Sequence, residues 1–485
     1  MTTNIITEKD SAEKVESVDV SQAFEIDPDE ERAVVRKLDM VIMPMMALVY
    51  FFQYLDKASI NQAAIFGLRK DLHLTGEDFS WAISLFYLGQ LVAEYLAVYL
   101  LSRLHLTRSV GATIIAWGVV NMCMGAIQDF HGLAATRFFL GFTEAAVSPA
   151  FVIITSVWYR RREHAIRTAV WVSMNGVSTI FGSLIMYGIG HSSTTLAPWR
   201  ALFIVCGGLT TACGILFLLV MPRDTRTAWF LKPNERELAT KRLALDRATR
   251  DKAQFNKGQL QEALKSPMTW LYFFMALCIT LTTPILKFNA TVINGFGYSQ
   301  FKTMLVGMPA GAVSTATVWV GALVPRFFPG TRVYTAIGLS IVPLTGAILL
   351  MVLPAHMSWG IVASTWLAGS MSSMLSISAS LISSNVKGNT KKSVVSAGFF
   401  IAYCVGCIVS PQAWTQKDAP RYTKGCILSI ASLVALMISY VVYVFMVKSE
   451  NKKRDLETVD EVQADGIDEE SDLTDIQDRG FRYTI

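Results

Sequence analysis

The sequence predicts an all-α membrane protein of twelve helices, built as two six-helix halves that repeat one another in parallel. Three observations carry this reading. The 485 residues are 52% apolar and only 17% charged, with a mean hydropathy of +0.40; an ordinary soluble domain carries about 25% charged residues. Apolar runs of roughly 20 residues recur along the chain, each long enough to cross a hydrocarbon core of about 30 Å as a helix. A hydrophilic stretch at 222–267 divides twelve such runs six and six. A transmembrane β-barrel would show weaker, alternating segments of about ten residues instead.

The elements follow in order. Residues 1–38 are polar and charged, with no apolar run after a basic start, so the first span is expected to act as the targeting signal in place of a cleaved peptide. The N-terminal half, 39–221, holds spans near 40–60, 79–101, 109–127, 133–156, 167–189 and 200–221. The linker, 222–267, is rich in charge and helix formers ("NERELATKRLALDRATRD"). The C-terminal half, 268–447, holds spans near 268–288, 303–323, 333–353, 358–382, 394–414 and 426–447. The tail, 448–485, carries eleven acidic residues between Asp455 and Asp478 and few apolar ones, which predicts a disordered, solvated segment.

Lys and Arg orient the chain. If the N-terminus is cytoplasmic, the short inside loops carry eleven positive charges (Arg103, Arg108, the Arg160–Arg162 triplet, Arg167, Arg326, Arg332, Lys387, Lys391 and Lys392) against eight outside. The linker adds eleven more on the inside. Both termini are therefore expected in the cytoplasm. The loops also repeat: "LLSRLHLTR" after span two matches "LVPRFFPGTR" after span eight, aligning Arg103 with Arg326 and Arg108 with Arg332. Such matching points to a repeat about an axis along the membrane normal.

The seven cysteines lie in or beside apolar runs. Cys404 and Cys407 have CxxC spacing, but sit within a span and outside a βαβ context, so packing is their expected role. No metal cluster, nucleophile–base pattern or phosphate loop occurs in a suitable context, and an enzyme is not expected.

Charges within spans are the informative residues, because each costs about 2.5–3.5 kcal/mol at a helix centre on insertion scales and usually faces an interior cavity. In "YFFQYLDKASINQ", ending span one at Leu55 leaves about fifteen uncharged residues, too few to cross. Continuing it to Ile60 places Asp56 and Lys57 inside the outer half of the span. Gln53 of the same stretch joins the candidate substrate-binding set. Span four contains "ATRFFLGFTEAAVSPA", where Arg137 and Glu144 are seven residues apart and share a face with Gly141 and Ser148. Glu94 in span two is either a structural acid bonded to a neighbour or a coupling acid. Lys287 in span seven, within "TTPILKFNATV", stands about where Asp56 and Lys57 stand in the first half, and either enters the site or snorkels to the interface. Asn175 with Gly176 in span five, and Tyr403 in span eleven, suit either a polar ligand or helix–helix contact. The Gly307–Gly311 and Gly398–Gly406 runs suit close helix approach. Asn289-Ala-Thr291 is formally a glycosylation sequon.

The stretches "QYLDKASINQA", "FSWAISLFYLGQLVAEYLAVYLL", "TRFFLGFTEAAVSPAFVIITSVWYRRRE", "LVGMPAGAV" and "SLISSNVKGNTKKSVVSAGFFIAYCVGCIVSPQ" resemble the fungal allantoate permease family, anion:cation symporters of the major facilitator superfamily, over roughly residues 30–455. The resemblance implies a twelve-helix major facilitator fold and secondary active transport. It implies uptake of a small carboxylated anion, such as allantoate, nicotinate or pantothenate, with protons. It further implies that Asp56 and Glu144 carry protons while Lys57 and Arg137 hold the anion. Lys287 departs from many relatives, which have a neutral residue there. "SRLHLTR" keeps the arginines of the superfamily's Gly…Asp-Arg loop motif but loses its acid. Span five lacks the Gly-Pro signature of drug/proton antiporters.

The expectation is a monomer in a bilayer, the plasma membrane, driven by the proton gradient, with no bound cofactor and no nucleic-acid partner. Two alternatives stay open: an exporter of an acidic secondary metabolite, and a nutrient receptor that carries no flux.

Overall fold

The computed structural model describes residues 27–75, 77–160, 163–192, 195–247, 255–354, 356–461 and 472–485. Most of the polar N-terminal segment, Arg161 and Arg162, part of the linker and the stretch 462–471 lie outside the described residues.

Among the described residues, twelve helices are long and apolar enough to cross a membrane. Spans one to six are Pro28–Asp71, Asp78–Leu101, Leu106–Ala126, Phe130–Trp158, His164–His191 and Pro198–Val220. Spans seven to twelve are Pro267–Gly295, Gln300–Phe327, Arg332–Val352, Ser358–Asn385, Asn389–Ala413 and Thr423–Glu457. Span one starts well before its apolar run. Asp27 caps it by accepting from the Asp29 amide, Pro28 supplies a preset φ, and Asp29, Glu30 and Glu31 complement the helix dipole. The run past Leu55 into Asp56 and Lys57 is continuous helix to Ala63, as the length argument requires.

The halves repeat in their packing. Span one lies on five, two on four, and three on six; correspondingly, seven lies on eleven, eight on ten, and nine on twelve. The halves meet where span two packs on eleven and span five on eight, which are again equivalent pairs. Gly176 and Gly311 make the second contact possible: a Cβ on Gly176 would lie 2.2 Å from the Gly311 carbonyl oxygen, and one on Gly311 2.3 Å from that of Gly176. Of the two glycine runs expected to mark close approach, Gly311 and Gly406 do so, while Gly307 and Gly398 face open space.

Several spans are broken along their length. Span four is two helices, Phe130–Glu144 and Val147–Trp158. Span seven divides into Pro267–Leu281 and Pro284–Gly295, where Pro284 has no amide to continue the ladder. Such breaks are tolerated where the freed groups find partners inside the protein; Thr283 Oγ1 donates to the Thr280 carbonyl at 2.7 Å.

We call the membrane face that holds the linker the linker side. There the halves are apart, and a cavity of about 1720 Å³ opens between them. On the opposite side the halves are joined. Ser84 Oγ donates to the Ile408 carbonyl at 2.7 Å, Asn61 Nδ2 to that of Leu286 at 3.3 Å, and Gln300 Nε2 to that of Ile65 at 3.0 Å. The Ile65 acceptor sits in a widened helical turn, Ala64–Leu68, closed by Gly67 at φ 102°. Phe66 packs edge-on against Phe301, and Phe79 against Phe288.

The linker forms helices Pro233–Arg247 and Lys257–Lys265. The first is held to the N-terminal half by Arg242, which reaches Glu31 and Glu163, and by the 2.6 Å Lys37–Glu235 pair. The second is held to the C-terminal half by Lys391–Glu262 at 2.7 Å.

The tail differs from the disordered segment expected over 448–485. Span twelve continues as helix to Glu461, and residues 472–485 pack onto the linker-side end of the C-terminal half. The composition rule counts acids without their partners; here Lys387 and Lys391 supply them for Asp478 and Asp475, and Arg454 holds the backbone at Phe481.

Candidate functional site

Adjacent residues on an α-helix point about 100° apart, so Asp56 and Lys57 make their closest contacts with different spans. Lys57 turns toward span four, where its Nζ lies 3.0 Å from Glu144 Oε1. Both side chains are deeply buried, and Glu144 accepts no well-aligned hydrogen bond, so the link is a charge contact. Asp56, fully buried, turns toward spans three and six. Its Oδ2 accepts from Trp117 Nε1 at 2.8 Å and Thr210 Oγ1 at 2.7 Å, and its Oδ1 from Asn121 Nδ2 at 2.7 Å.

Span four brings Arg137 to the same cluster. Phe86 of span two adjoins both cations, with Lys57 Nζ 5.2 Å and the Arg137 guanidinium 5.5 Å from its ring centre. Arg137 Nε makes a long bond of 3.4 Å to the Ala82 carbonyl, and its Nη1 is buried without a partner. The crossing that permits this is tight: a Cβ on Gly141 would lie 1.8 Å from the Phe86 carbonyl oxygen. Lys287 enters from the C-terminal half. It is 6% exposed and lies 5.8 Å from the ring centre of Tyr54. Among the described residues, no carboxylate lies within 4.0 Å of Lys287 or Arg137. Lys287 therefore does not snorkel; it is a buried cation without a counter-charge at contact.

Of the four charges expected together, Lys57, Arg137 and Glu144 adjoin one another and Lys287 joins from the other half, while Asp56 directs its hydrogen bonds toward spans three and six and stays within the field of Glu144 and Arg137. Gln53, Lys57 and Tyr403 line the cavity, with Tyr50, Gln90, Ser148 and Trp171. Tyr403 stacks on Phe400 and meets Tyr87 edge-on. Asn175 does not line the cavity; its Oδ1 is buried without a partner beside the span five–span eight crossing. Glu94 stays outside the cluster, with Oε2 buried and without a partner.

Sequence reasoning missed Trp117, Asn121 and Thr210, which hold Asp56, and Phe86, whose ring adjoins both cations. Asn121 was findable, as the single amide in the otherwise apolar "GATIIAWGVVNMC". A phenylalanine in an apolar span gives no such signal.

Residues 46–411 match the sequence profile of the Major Facilitator Superfamily. The chain is 34% identical over 459 residues to an uncharacterized transporter of Schizosaccharomyces pombe, covering 94% of this chain and 87% of the relative. It is 28% identical to the allantoate permease of Saccharomyces cerevisiae over 494 residues, 98% of this chain and 90% of that protein. It is 30% identical to a thiamine pathway transporter of the same yeast over 461 residues, covering 93% and 86%. Among solved structures, it is similar in fold to the xylose transporter XylE of E. coli in a partially occluded inward-open conformation, with a TM-score of 0.60 at 11% identity over 81% of this chain and 97% of that one.

Proposed function

The chain belongs to the Major Facilitator Superfamily and is a secondary transporter, not an enzyme; from that premise we propose that it takes up a small carboxylated organic anion together with a proton, by alternating access. One observation carries the reading. Three buried basic side chains (Lys57, Arg137 and Lys287) have one carboxylate at contact among them, Glu144, while Asp56 is turned to three neutral donors, so the cluster can take a further negative charge. A substrate carboxylate supplies it, and a low-dielectric site makes each charge-assisted bond strong.

Glu144 is the proton carrier in this proposal. Its protonation releases Lys57, which then holds the anion with Arg137 from the N-terminal half while Lys287 approaches from the C-terminal half. A substrate held by both halves favours their closure around it. Asp56 anchors span one: three donors converge on its carboxylate, and that fixes the rotation that aims Lys57 at Glu144. Gln53 and Tyr403 face the body of the substrate from opposite halves. The basic linker and loops support placing the linker side in the cytoplasm, so the described conformation is the inward-open one. The relative named allantoate permease supports the anionic class of substrate; the proposal adds the plasma membrane as the address and a single chain as the working unit.

The test is uptake of a panel of labelled carboxylates at two external pH values, with and without a protonophore. Accumulation that rises at acid external pH and collapses with the protonophore is expected. Uptake insensitive to both would remove proton coupling. Substrate-stimulated efflux without uptake would establish export instead.

A further inference from the structure

Segment 472–485 is bound as a ligand is bound. It has no helix or strand of its own; its hold comes from side chains of the C-terminal half and the linker. Asp475, 5% exposed, sits 2.8 Å from Lys391 Nζ, and its second oxygen accepts from Tyr483 Oη at 2.7 Å. Asn385 reads the peptide backbone on both sides of Thr484: its Oδ1 accepts from the Thr484 amide at 2.7 Å, and its Nδ2 donates to the Thr484 carbonyl at 2.8 Å. Asn451 does the same at Tyr483, at 3.0 and 2.8 Å. Fully buried Arg454 donates to the Phe481 carbonyl at 2.8 Å. Paired amide–backbone contacts of this kind recognise an extended peptide, and the buried lysine recognises a carboxylate at a fixed place within it.

One contact leads from the segment to the cavity. Gln259 of the second linker helix donates through Nε2 to the carbonyl and carboxylate of Asp472, at 2.8 and 3.0 Å. Its Oε1 accepts from the amides of Thr390 and Lys391, at 3.0 and 3.2 Å. Those amides are in the first turn of span eleven, where helix donors have no partner within the helix. Asp472 Oδ1 accepts from the next of them, Asn389, at 2.8 Å. Asp472 thus caps span eleven directly and also fixes which way the Gln259 amide faces. Span eleven carries Phe399, Phe400 and Tyr403 into the cavity.

We propose that the linker-side end of the C-terminal half is a peptide-binding groove, that segment 472–485 is its intramolecular ligand, and that occupancy of the groove sets how firmly the start of span eleven is held. Tethering explains how modest contacts suffice, since a short tether raises the local concentration of a segment to the millimolar range. A groove filled in this way is open to displacement, and the cavity-lining helix loosens when it empties.

The experiment uses the purified chain, intact and with residues 472–485 deleted, and a fluorescein-labelled peptide of residues 472–485. The peptide is expected to bind the deleted chain saturably, at least tenfold more tightly than the intact chain, and to lose that binding in the deleted chain carrying Lys391→Met. Hydrogen exchange at Thr390 and Lys391 should quicken on deletion and slow again on adding peptide. Equal binding to both chains, absence of binding to a folded deleted chain, or unchanged exchange would each overturn the proposal. Should the deleted chain not fold, the intact chain with Asp472→Ala and Asp475→Ala replaces it, with the same outcomes.

Discussion

Lys287→Met separates a substrate-binding lysine from a structural one, because the two roles predict opposite effects on stability. Methionine keeps the length and flexibility of the side chain and removes only the charge. Lys287 is 6% exposed, so solvent screening of its charge is slight. It has no carboxylate at contact, and its ammonium lies near the Tyr54 ring. An unpaired buried ammonium carries an uncompensated desolvation cost. Removing it should leave the empty protein as stable as before or more so. With substrate present the sign reverses. A hydrogen bond to a charged group contributes about 1.5–3 kcal/mol, so its loss should weaken substrate affinity by roughly 10- to 150-fold at 1.4 kcal/mol per decade. The assay measures the transport KM of the best carboxylate in proteoliposomes and, in parallel, the Tm of the detergent-solubilised protein with and without that substrate. The expected result is an unchanged or higher Tm without substrate, a smaller substrate-induced rise in Tm, and a raised KM. A fall in the substrate-free Tm with KM unchanged would refute the reasoning and make Lys287 a structural residue.

Glu144→Gln should retain substrate exchange but lose proton-driven accumulation, measured as counterflow against pH-driven uptake; normal accumulation would remove Glu144 from coupling. Lys57→Met leaves Glu144 buried and unpaired, and breaking a buried pair costs about 3–5 kcal/mol; adding Glu144→Gln should recover much of the lost Tm, and the absence of recovery would show that the 3.0 Å contact carries no such coupling. Asp56→Ala strands three buried donors, at about 1–3 kcal/mol for each left unsatisfied, so Tm should fall sharply. Asp56→Asn, wherever it folds, should keep the pH dependence of uptake, and a shifted pH profile would return Asp56 to the coupling role. Docking of segment 472–485 should weaken in acid: burial raises the Asp478 pKa, but the hydrogen bond and charge of Lys387 and the amides of Phe481 and Gly480 together outweigh it and hold the docked carboxyl below its free value of 3.8. A carboxyl depressed in the bound state favours binding above its free pKa and loses that contribution as pH falls through the bound one. Peptide affinity for the deleted chain should therefore decline below about pH 4, and a flat titration would exclude this pair.

The spans and the halves were legible because they depend on quantities the sequence carries in full, namely run length, hydropathy and loop charge. Glu144, Arg137 and Lys57 were legible for a related reason. A charge in an apolar run needs a partner, and its position alone identifies it. What escaped depends on pairing between distant segments. The cage around Asp56 draws on spans three and six; Asn121 stands out there as a lone amide, but the tryptophan and threonine beside it are unremarkable where they stand. The docked segment escaped for the same reason in reverse, since its composition reads as solvated until Lys391 and Arg454 are known to face it.

The Asp56–Lys57 dipeptide illustrates what sequence adjacency does and does not imply. In a strand, neighbours point to opposite faces; in a helix they diverge by about 100°. Two adjacent charges in a membrane helix therefore engage different neighbours, and neither can neutralise the other at contact. Each must be compensated separately, here by three neutral donors for the acid and by Glu144 for the base. The two solutions differ in how readily they change. Proton transfer to Asp56 would leave at least one of the three converging donors poorly matched. Proton transfer to Glu144 breaks a single contact and leaves Lys57 free beside a cavity it already lines. Of two buried carboxylates near the same cations, the one with fewer directional bonds is the better placed to exchange a proton for a substrate.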